Sequence, residues 1–416
     1  MTKLSLDKNK KYLLACSFGP DSMALFGMLL EGKYNFSVAN VNYKMRGTES
    51  DNESQNLKEF CNKKGIKFYD LVVEGKTLKG NFQKAAREAR YKFFAKIQQE
   101  NKYDYVLVAH NLDDNITTYL MQKRRKTEVF YYGIQEKAVI NGAKILRPLL
   151  NFSKVDLEKY CVTNNVPYSI DSSNKRKIYA RNKIMIDEVS KMNSEEKRLI
   201  CEEINILNNK NSENYEKISN FVDNHNIFGV EWLREKFEDS EDFVYQFIYY
   251  LFLKNNSENM YSKNKATDII SMIISDKPNR TRKLNDNLYL IKGYDYFFLS
   301  NSKTAQKFSK TMQKPCIFEY EHLKIDLNRA EEINLKDSDF PITIRSYKKN
   351  DEYLIKDYRK QINRLFIDMK LPSYFRNSWP IILSKDGVIK HIPRYRKDYV
   401  AKENDVIKID LLKCIK

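Results

Sequence analysis

The first third of the chain alternates short apolar runs, rich in β-branched and aromatic residues, with amphipathic segments of helical length. The apolar runs occupy residues 12–16, 36–41, 67–73 and 104–109. The first intervening segment, 20–31, has Pro20 at its start and Gly32 behind it, the usual asymmetry of helix ends. The second is expected to begin at Ser50, whose Glu53 three residues later would complete a capping box. This alternation predicts an α/β fold with a doubly wound parallel sheet.

The pattern changes twice farther along the chain. Residues 192–275 form charged helical segments with scattered aromatics and almost no Gly or Pro, which predicts a helical domain. After Pro278 short alternating strands follow, with the turn signal Asp386-Gly387, and predict a small β-rich domain. A chain of 416 residues is too long for one hydrophobic core. We therefore expect three domains with the bounds 1–190, 191–305 and 306–416.

Composition limits the partners and the compartment. The chain has 73 Lys and Arg against 55 Asp and Glu, a net charge of +18, which indicates a partner with a phosphate backbone. The alternative is a solvated basic surface without a ligand. No apolar run reaches the length of a membrane span, and the N-terminus lacks a signal-peptide pattern, so a cytoplasmic protein is expected. The six cysteines form neither a CxxC pair nor a zinc-ligand cluster, which predicts that most are small core residues.

A small-residue turn, Ser17-Phe18-Gly19-Pro20-Asp21-Ser22, lies between the first predicted strand and the first predicted helix. Such a turn directs backbone N–H groups and the positive end of the helix dipole at one point, where an anion is favoured. It lacks the Lys of a Walker A loop and the spacing of a GxGxxG loop. It resembles the SGGxDS loop of the ATP pyrophosphatases, which form an adenylate and release pyrophosphate. The alternative is an ordinary serine-rich turn.

Phe18 stands where that family of loops usually has Gly. If the position requires a positive φ, a Phe there is costly. Either the local backbone differs from that of the family, or nucleotide binding is weakened.

Further segments resemble the tRNA(Ile)-lysidine synthase family in order and spacing over the first 190 residues, and more weakly toward the C-terminus. They lie at 41–47 with acidic residues at 49–53, at 85–94, at 109–115 (AHNLDDN), at 147–150 (RPLL), at 171–174 (DSSN) and at 179–182 (YARN). Tyr43, Asn111 and Asn115 depart from the family's His, His and Gln. The segment 109–115 ends the fourth strand and opens a helix, at the sheet edge where open α/β folds bind ligands. Its carboxylates also suit a helix first turn on dipole grounds alone.

The resemblance implies an enzyme that uses ATP to join free lysine to the wobble cytidine of the isoleucine tRNA with a CAU anticodon. It implies catalytic roles for Asp21, His110, Asp114 and Arg181, and ATP binding by Ser17, Phe18, Gly19, Pro20, Asp21 and Ser22. It also implies Mg²⁺ at Asp21 and lysine at Asp114 or Asp113. The alternatives are another ATP pyrophosphatase, such as a tRNA thiolase, and a non-catalytic RNA-binding homologue.

Basic residues are the candidates for contacts with the tRNA backbone, with the 306–416 domain contributing to recognition. The candidates are Arg87, Arg90, Lys123, Arg124, Arg125, Lys126, Arg394, Arg396 and Lys397, the last three interleaved with Tyr395 and Tyr399. The alternative for each of these groups is a solvated surface without a ligand.

Overall fold

The chain divides into two compact units, residues 1–212 and 213–416. The computed structural model describes residues 4–44, 48–73, 82–126, 128–169, 180–355, 357–396, 402 and 404–415. Most of the predicted helical segment and all of the β-rich segment fall within the second unit. The finer division into three domains stays a prediction.

The first unit is an α/β structure. Its strands are β1 (Lys11–Ala15), β2 (Asn35–Asn42), β3 (Phe68–Val72), β4 (Tyr105–Val108), β5 (Lys137–Ile140) and β6 (Ala143–Leu146). Its helices are α1 (Pro20–Glu31), α2 (Thr48–Lys63), α3 (Phe82–Glu100), α4 (Leu112–Arg124), α5 (Lys154–Thr163), α6 (Ala180–Asp187) and α7 (Ser194–Asn224), the last of which continues beyond residue 212.

The six strands form one sheet in the order β3-β2-β1-β4-β6-β5. Neighbouring strands are parallel, except that β5 pairs antiparallel with β6. β1 is central, with Tyr12 opposite Phe36 of β2 and Tyr105 of β4. The predicted doubly wound parallel fold is therefore confirmed, and the four predicted strands are β1 to β4.

Alternate residues of the central strands point to opposite faces of the sheet, as the twofold period of a strand requires. Leu14 and Leu107 join a core cluster with side chains of α1, α2 and α5. Leu13 and Val106 join a second cluster with side chains of α3. All four strand residues are completely buried. Helices thus cover both faces, and only the edges and ends of the strands can expose polar groups.

Two local features differ from the sequence prediction. α2 begins at Thr48, so Ser50 lies inside the helix and the predicted Ser50–Glu53 capping box is wrong. The β5–β6 hairpin was not predicted, although its turn, Asn141-Gly142, carries a recognised signal. Their φ values of 48° and 84° are the left-handed pair that a type I′ turn requires, and Asn-Gly adopts it readily. The sequence also predicts Asn81 as the N-cap of α3, and this residue lies outside the described residues.

The second unit contains β7 (Ile227–Gly229), α8 (Val230–Asp239), α9 (Glu241–Lys254), α10 (Lys263–Ile274), β8 (Arg280–Asn285), β9 (Leu288–Lys292), β10 (Tyr296–Ser300), β11 (Ser309–Met312), β12 (Ile317–Tyr320), β13 (Leu323–Asp326), β14 (Ile342–Arg345), β15 (Glu352–Ile355), β16 (Tyr358–Gln361), α11 (Ile362–Asp368), β17 (Ile381–Leu383), β18 (Ile389–His391) and β19 (Ile407–Ile409). Its sheets have the orders β7-β10-β9-β8, β11-β14-β17-β18, β12-β13-β19 and β15-β16. β17 and β18 pair antiparallel around the predicted turn, where Gly387 has φ 76°. The expected β-rich character of this part is confirmed. Among the described helices, none is both long and apolar enough to cross a membrane.

One ion pair is buried inside the first unit. Asp113, in the first turn of α4, accepts a hydrogen bond of 2.6 Å from the ammonium of Lys197 on α7. Their side chains are 4% and 8% exposed. Because the pair is shielded from water, removal of one partner leaves an uncompensated charge in the interior.

Lys197→Met should therefore lower the free energy of unfolding of the first unit by about 3 to 5 kcal/mol. Both tryptophans, Trp232 and Trp379, lie in the second unit, so their fluorescence does not report this loss. Hydrogen exchange of the β1 and β4 amides, followed by mass spectrometry, measures it in the first unit alone.

The matched control is Arg198→Met, the adjacent residue on α7, which is solvent-exposed and pairs with Glu195 and Glu202. In this variant the protection of the β1 and β4 amides from exchange should hardly change, because exposed ion pairs contribute little to the free energy of unfolding. Adding Asp113→Leu to Lys197→Met should recover protection, since both charges are then gone. Equal exchange rates in Lys197→Met and Arg198→Met would show that burial does not determine how much the Asp113–Lys197 pair contributes to stability.

Candidate active site

A cavity of about 530 Å³ opens at the carboxyl ends of β1, β2 and β4. Parallel strands end at the same edge of the sheet, which is where doubly wound folds bind their ligands. The lining residues that the following paragraphs use are Ser17, Gly19, Asp21, Ser22, Tyr43, Glu53, Arg87, Arg90, His110, Lys154 and Ser169. The turn at 17–22 and His110, which the sequence placed at two separate strand ends, therefore face one space.

The Phe18 backbone adopts a left-handed conformation, which favours glycine. Its φ is 64°, in the left-handed region, and its ring is only 6% exposed within the core cluster that contains α1 side chains. A left-handed residue costs about 1 to 2 kcal/mol, whereas burying a Phe side chain contributes about 1.5 to 3 kcal/mol. Burial thus offsets the strain. The Phe18 carbonyl also accepts a hydrogen bond of 2.9 Å from the Ser169 amide, which holds the turn in place.

The turn is closed by the Ser22 hydroxyl. Its Oγ donates to the Gly19 carbonyl at 3.0 Å and accepts from the Ser17 amide at 3.3 Å. The Asn40 amide donates to the Cys16 carbonyl at 2.7 Å and fixes the end of β1. Ser17 itself is exposed, so its hydroxyl is accessible from the cavity.

The first turn of α1 has the features of an anion site. Its N-cap, Gly19, supplies no side-chain hydrogen bond, and Pro20 follows at the first helical position. The early amides of α1, including those of Asp21 and Ser22, therefore lack the side-chain partner that an N-cap Ser or Asp would give. Together with the helix dipole, they favour a phosphate at this end of the cavity.

Asp21 is partly buried in this turn. Burial is the main cause that raises its pKa to about 6; Lys154 opposes the shift, and the nearby Asp114 carboxylate adds to it. One carboxylate oxygen, Oδ1, is buried and has no hydrogen-bond partner among the described residues. An orphaned carboxylate oxygen beside a phosphate site fits a divalent cation, because Mg²⁺ takes one or two carboxylates together with phosphate oxygens. No group of three or more acidic, His or Cys side chains that would hold a metal occurs among the described residues.

His110 follows β4 and is held by Arg147, which follows β6. The Arg147 Nε donates to the His110 Nδ1 at 3.0 Å, and its Nη1 donates to the Gln135 carbonyl at 2.6 Å. Burial lowers the pKa of His110 to about 4, with Arg147, Arg181 and Arg87 acting in the same direction and Asp114 opposing them. His110 is therefore neutral at pH 7.

The two carboxylates predicted to bind lysine both have partners in the structure. Asp113 pairs with Lys197, and its side chain is not part of the cavity lining. Asp114 accepts a bond of 2.6 Å from the guanidinium of Arg181, and its other oxygen caps the Asn111 amide at 3.2 Å. The Asp114 and Arg181 side chains are 20% and 42% exposed. They lie beside the cavity and act on it electrostatically, since Asp114 shifts the pKa of both Asp21 and His110.

Two arginines of α3 contribute to the cavity wall. Arg87 and Arg90 both line the cavity, and the Arg87 guanidinium lies 4.8 Å from the centre of the Tyr91 ring. The Arg90 Nε is buried without a hydrogen-bond partner among the described residues. Tyr43, which replaces the family's His, donates to the Ala86 carbonyl at 2.8 Å and lines the same wall.

The four residues of the basic segment 123–126 differ in whether they have acidic partners. Lys123 binds Glu203 at 2.7 Å, and Arg124 binds Glu188. Arg125 and Lys126 are exposed, and neither has an acidic partner within the described part of the chain.

In the second unit, Arg394 and Arg396 are exposed, whereas the ring of Tyr395 between them is buried against Trp379. Tyr395 is therefore not available to stack on a base, which corrects the expectation of aromatic interleaving there. Lys397 and Tyr399 lie outside the described residues. So do the matching segments at 45–47 and 171–174, and Tyr179.

Three residues of the site were not assigned a role from the sequence. Arg147 orients His110, and the Ser169 hydroxyl donates to Glu53 at 2.9 Å across the cavity edge. Lys154, at the first position of α5, lines the cavity next to Asp21 and has no acidic partner within salt-bridge distance among the described residues. Arg147 stands in the RPLL segment, which pointed to it; Lys154 and Ser169 carry no signal that distinguishes them from other surface residues.

Comparison with known proteins agrees with these features. Residues 1–189 match the family model of a PP-loop domain. The chain is 31% identical over 414 residues to the tRNA(Ile)-lysidine synthase of Mycoplasma mycoides subsp. mycoides SC, covering 96% of this chain and 100% of that protein. It is 32% identical over 301 residues to the tRNA(Ile)-lysidine synthase of Ureaplasma parvum serovar 3, covering 68% of this chain and 85% of that protein.

A solved structure, the U34-tRNA thiolase NcsA from Methanococcus maripaludis, superposes with a TM-score of 0.42 at 18% identity, covering 49% of this chain and 74% of that one. The match to the first synthase spans nearly the whole chain, and the match to the second spans most of it. The PP-loop match lies within the unit that contains the cavity. The chain belongs to the tRNA(Ile)-lysidine synthase family of ATP-dependent ligases.

Proposed function

We propose that the chain joins free lysine to C2 of the wobble cytidine in the isoleucine tRNA with a CAU anticodon, consuming ATP and releasing AMP and pyrophosphate. The observation that carries the proposal is the cavity, in which an anion-binding turn, a neutral histidine and two arginines face one space. The names of the relatives support the tRNA substrate.

In the first step the cytidine O2 attacks the α-phosphorus of ATP, and the bond to the β-phosphate oxygen breaks. Pyrophosphate leaves with the bonding electrons, and the base carries AMP on O2. The amides of the α1 first turn and the Ser17 hydroxyl bind the phosphates. Lys154, which has no acidic partner among the described residues, faces the same end of the cavity and adds a positive charge for them.

Asp21 is the residue that would hold Mg²⁺, because its Oδ1 is buried without a partner among the described residues. The cation neutralises phosphate charge when it is bound. Asp21 lies in the first turn of α1, and its partly buried position there places its carboxylate beside the phosphate turn.

In the second step a neutral amine of lysine attacks C2, AMP leaves with the C2–O2 bonding electrons, and the attacking nitrogen loses one proton to solvent. We assign an ammonium of lysine to Asp114, one of the two carboxylates that the resemblance implies, by exchange with Arg181. The Asp114–Arg181 pair is partly exposed, and such pairs contribute only about 0 to 1 kcal/mol, so exchange for another cation costs little. The Asp113–Lys197 pair is buried and cannot exchange in this way. Arg181, once released, is then able to bind phosphate oxygens.

An anticodon loop suits the cavity, because its unpaired bases can leave the stack and enter a protein pocket. Arg87 and Arg90 would contact the nucleotide at the wall of the cavity. Arg125, Lys126, Arg394 and Arg396 are exposed and would contact the RNA backbone farther away.

Thiolase chemistry, the nearest alternative, requires a reactive cysteine. Burial raises the pKa of Cys16 and Cys161 to about 11 and that of Cys61 to about 12. Cys16 borders the cavity, but its thiol is 4% exposed and hydrogen-bonds to the Ser22 hydroxyl. These thiols remain protonated near pH 7 and lack the thiolate character of a sulfur carrier.

The first prediction from this proposal separates the two half-reactions. Asp21→Ala should abolish both pyrophosphate release and lysine incorporation because it removes the carboxylate that would hold Mg²⁺, and Ser22→Ala should do so because it removes the hydroxyl that closes the phosphate turn. Asp114→Asn should preserve tRNA-dependent pyrophosphate release and raise the lysine concentration required by about 10- to 150-fold, the loss of one charge-assisted contact. Both activities are measured on the same preparations over a range of lysine concentrations.

Asp156→Asn is the matched control. Asp156 occupies the third position of α5, as Asp114 does in α4, but it is exposed and does not line the cavity. It should leave both activities unchanged. If Asp114→Asn lost pyrophosphate release as well, and excess lysine restored neither activity, Asp114 would serve adenylation or folding, and Glu53 on the cavity wall would be the next carboxylate to test.

The second prediction concerns RNA affinity. Arg125→Ala with Lys126→Ala should weaken tRNA binding and reduce its salt dependence. Each lost phosphate contact reduces the magnitude of the slope of log K against log salt by about 0.7 to 0.9. Lys123→Ala with Arg124→Ala is the control, since Glu203 and Glu188 already neutralise these charges. Filter binding at several salt concentrations measures both slopes. Equal slopes in the two double variants would show that internal pairing does not decide which of these residues contacts RNA.

A further inference from the structure

The hydrogen bond between Arg147 and His110 determines which ring nitrogen of His110 carries the proton. The Arg147 Nε lies 3.0 Å from the His110 Nδ1. A guanidinium nitrogen can only donate, so Nδ1 must accept. In a neutral imidazole the proton then resides on Nε2.

Arg147 cannot rotate away easily. Its side chain is 5% exposed, and its Nη1 donates to the Gln135 carbonyl at 2.6 Å. Its backbone amide donates to the Glu136 carbonyl at 2.9 Å, at the start of the β5–β6 hairpin. The two residues just before β5, Gln135 and Glu136, thus anchor the arginine at both its side chain and its backbone.

The surrounding charges keep the ring neutral. Burial is the largest cause that lowers the pKa of His110, to about 4; Arg147, Arg181 and Arg87 reinforce it, and Asp114 is the opposing group. A second proton on Nδ1 would also face the Arg147 N–H at hydrogen-bond distance.

We propose that Arg147 is a positioning residue that presents His110 as a neutral, Nε2-protonated ring, and that His110 donates this N–H to an oxygen of the bound nucleotide. The substrate contact rests on the proposed function; the tautomer does not. During adenylation the O2–phosphorus bond forms and the phosphorus–oxygen bond to pyrophosphate breaks, while His110 keeps its proton throughout. His110 is therefore a hydrogen-bond donor to negative charge and not the general base of the reaction.

The tautomer can be observed directly because the chain has only four histidines. Nitrogen-15 NMR of the imidazoles in the 416-residue chain, with the His110 signals assigned by their loss in His110→Gln, should show a bare Nδ1 and a protonated Nε2. The ring should not ionise between about pH 5 and pH 8, given a pKa of about 4. A protonated Nδ1, or titration near the ordinary value of 6.5, would overturn the proposal.

Variants of Arg147 test the positioning. Arg147→Met should let the pKa of His110 rise toward 6.5, because a lowering charge is lost while Asp114 remains, and should allow both tautomers. Arg147→Lys still offers only donors and should keep Nδ1 bare. An unchanged tautomer and an unchanged titration in Arg147→Met would overturn the role of the arginine.

Variants of His110 test the substrate contact by pyrophosphate release. Gln can place an N–H near the position of Nε2, whereas Asn reaches only the position of Nδ1. His110→Gln should therefore retain roughly tenfold or more activity over His110→Asn, in keeping with the loss of one hydrogen bond to a charged group. His225→Gln, an exposed histidine of the second unit, is the control that should retain full activity.

Equal activity of His110→Gln and His110→Asn would overturn the donor role. Wild-type protein that released no pyrophosphate with tRNA would overturn the proposed function and with it the substrate contact. The NMR result would still decide the tautomer in that case.

Discussion

Parallel hydrogen bonding of β1 to both β2 and β4 is the constraint on which the site depends. It brings the ends of three strands, far apart along the chain, to one edge of the sheet. The turn at 17–22 follows β1, Tyr43 follows β2, and His110 follows β4. Because the strands themselves are buried on both faces, this edge is where their following residues can meet a ligand.

Burial then sorts the charged pairs of the first unit into fixed and exchangeable ones. Asp113 and Lys197 are shielded from water and join α4 to α7, so this pair belongs to the fold. Asp114, the next residue along, forms a partly exposed pair with Arg181. Two adjacent carboxylates thus differ in their surroundings, since one is paired with a buried lysine and the other is paired at a partly exposed position, where we propose that a substrate cation replaces Arg181. His110 shows the same dependence on surroundings, because burial and three arginines keep it neutral.

Much of the fold was predictable from the sequence, because hydrophobic period and helix-end signals act locally. β1 to β4 and α1 follow from them directly. The β5–β6 hairpin was missed despite its Asn-Gly turn, since each of its strands contains a lysine and so lacks the continuous apolar run of β4. The start of α2 was misplaced because Ser50 and Glu53 have the spacing of a capping box. In the structure both residues lie within the helix and line the cavity.

The site was predictable in its position and less so in its contacts. Sequence placed Asp21 and His110 at neighbouring strand ends, and the structure brings them to one cavity. The sequence predicted a cost if Phe18 had a positive φ, and the structure has that φ. Burial of the Phe18 ring, which no local sequence pattern reveals, offsets the cost. The partners Lys197 and Arg147 lie 84 and 37 residues from the side chains they bind. Pairings at such separations are set by tertiary packing and leave no local signal.

We propose that one cavity couples ATP cleavage to the attachment of lysine to a single tRNA. Incubation of the full chain with ATP, Mg²⁺, isotopically labelled lysine and total bacterial tRNA tests it most directly, with nucleoside mass spectrometry of the labelled fraction. The expected result is ATP-dependent label in the isoleucine tRNA with a CAU anticodon, on the wobble cytidine, with one pyrophosphate released for each lysine attached. Pyrophosphate release with no lysine in the RNA, or label spread over many tRNAs, would contradict the claim.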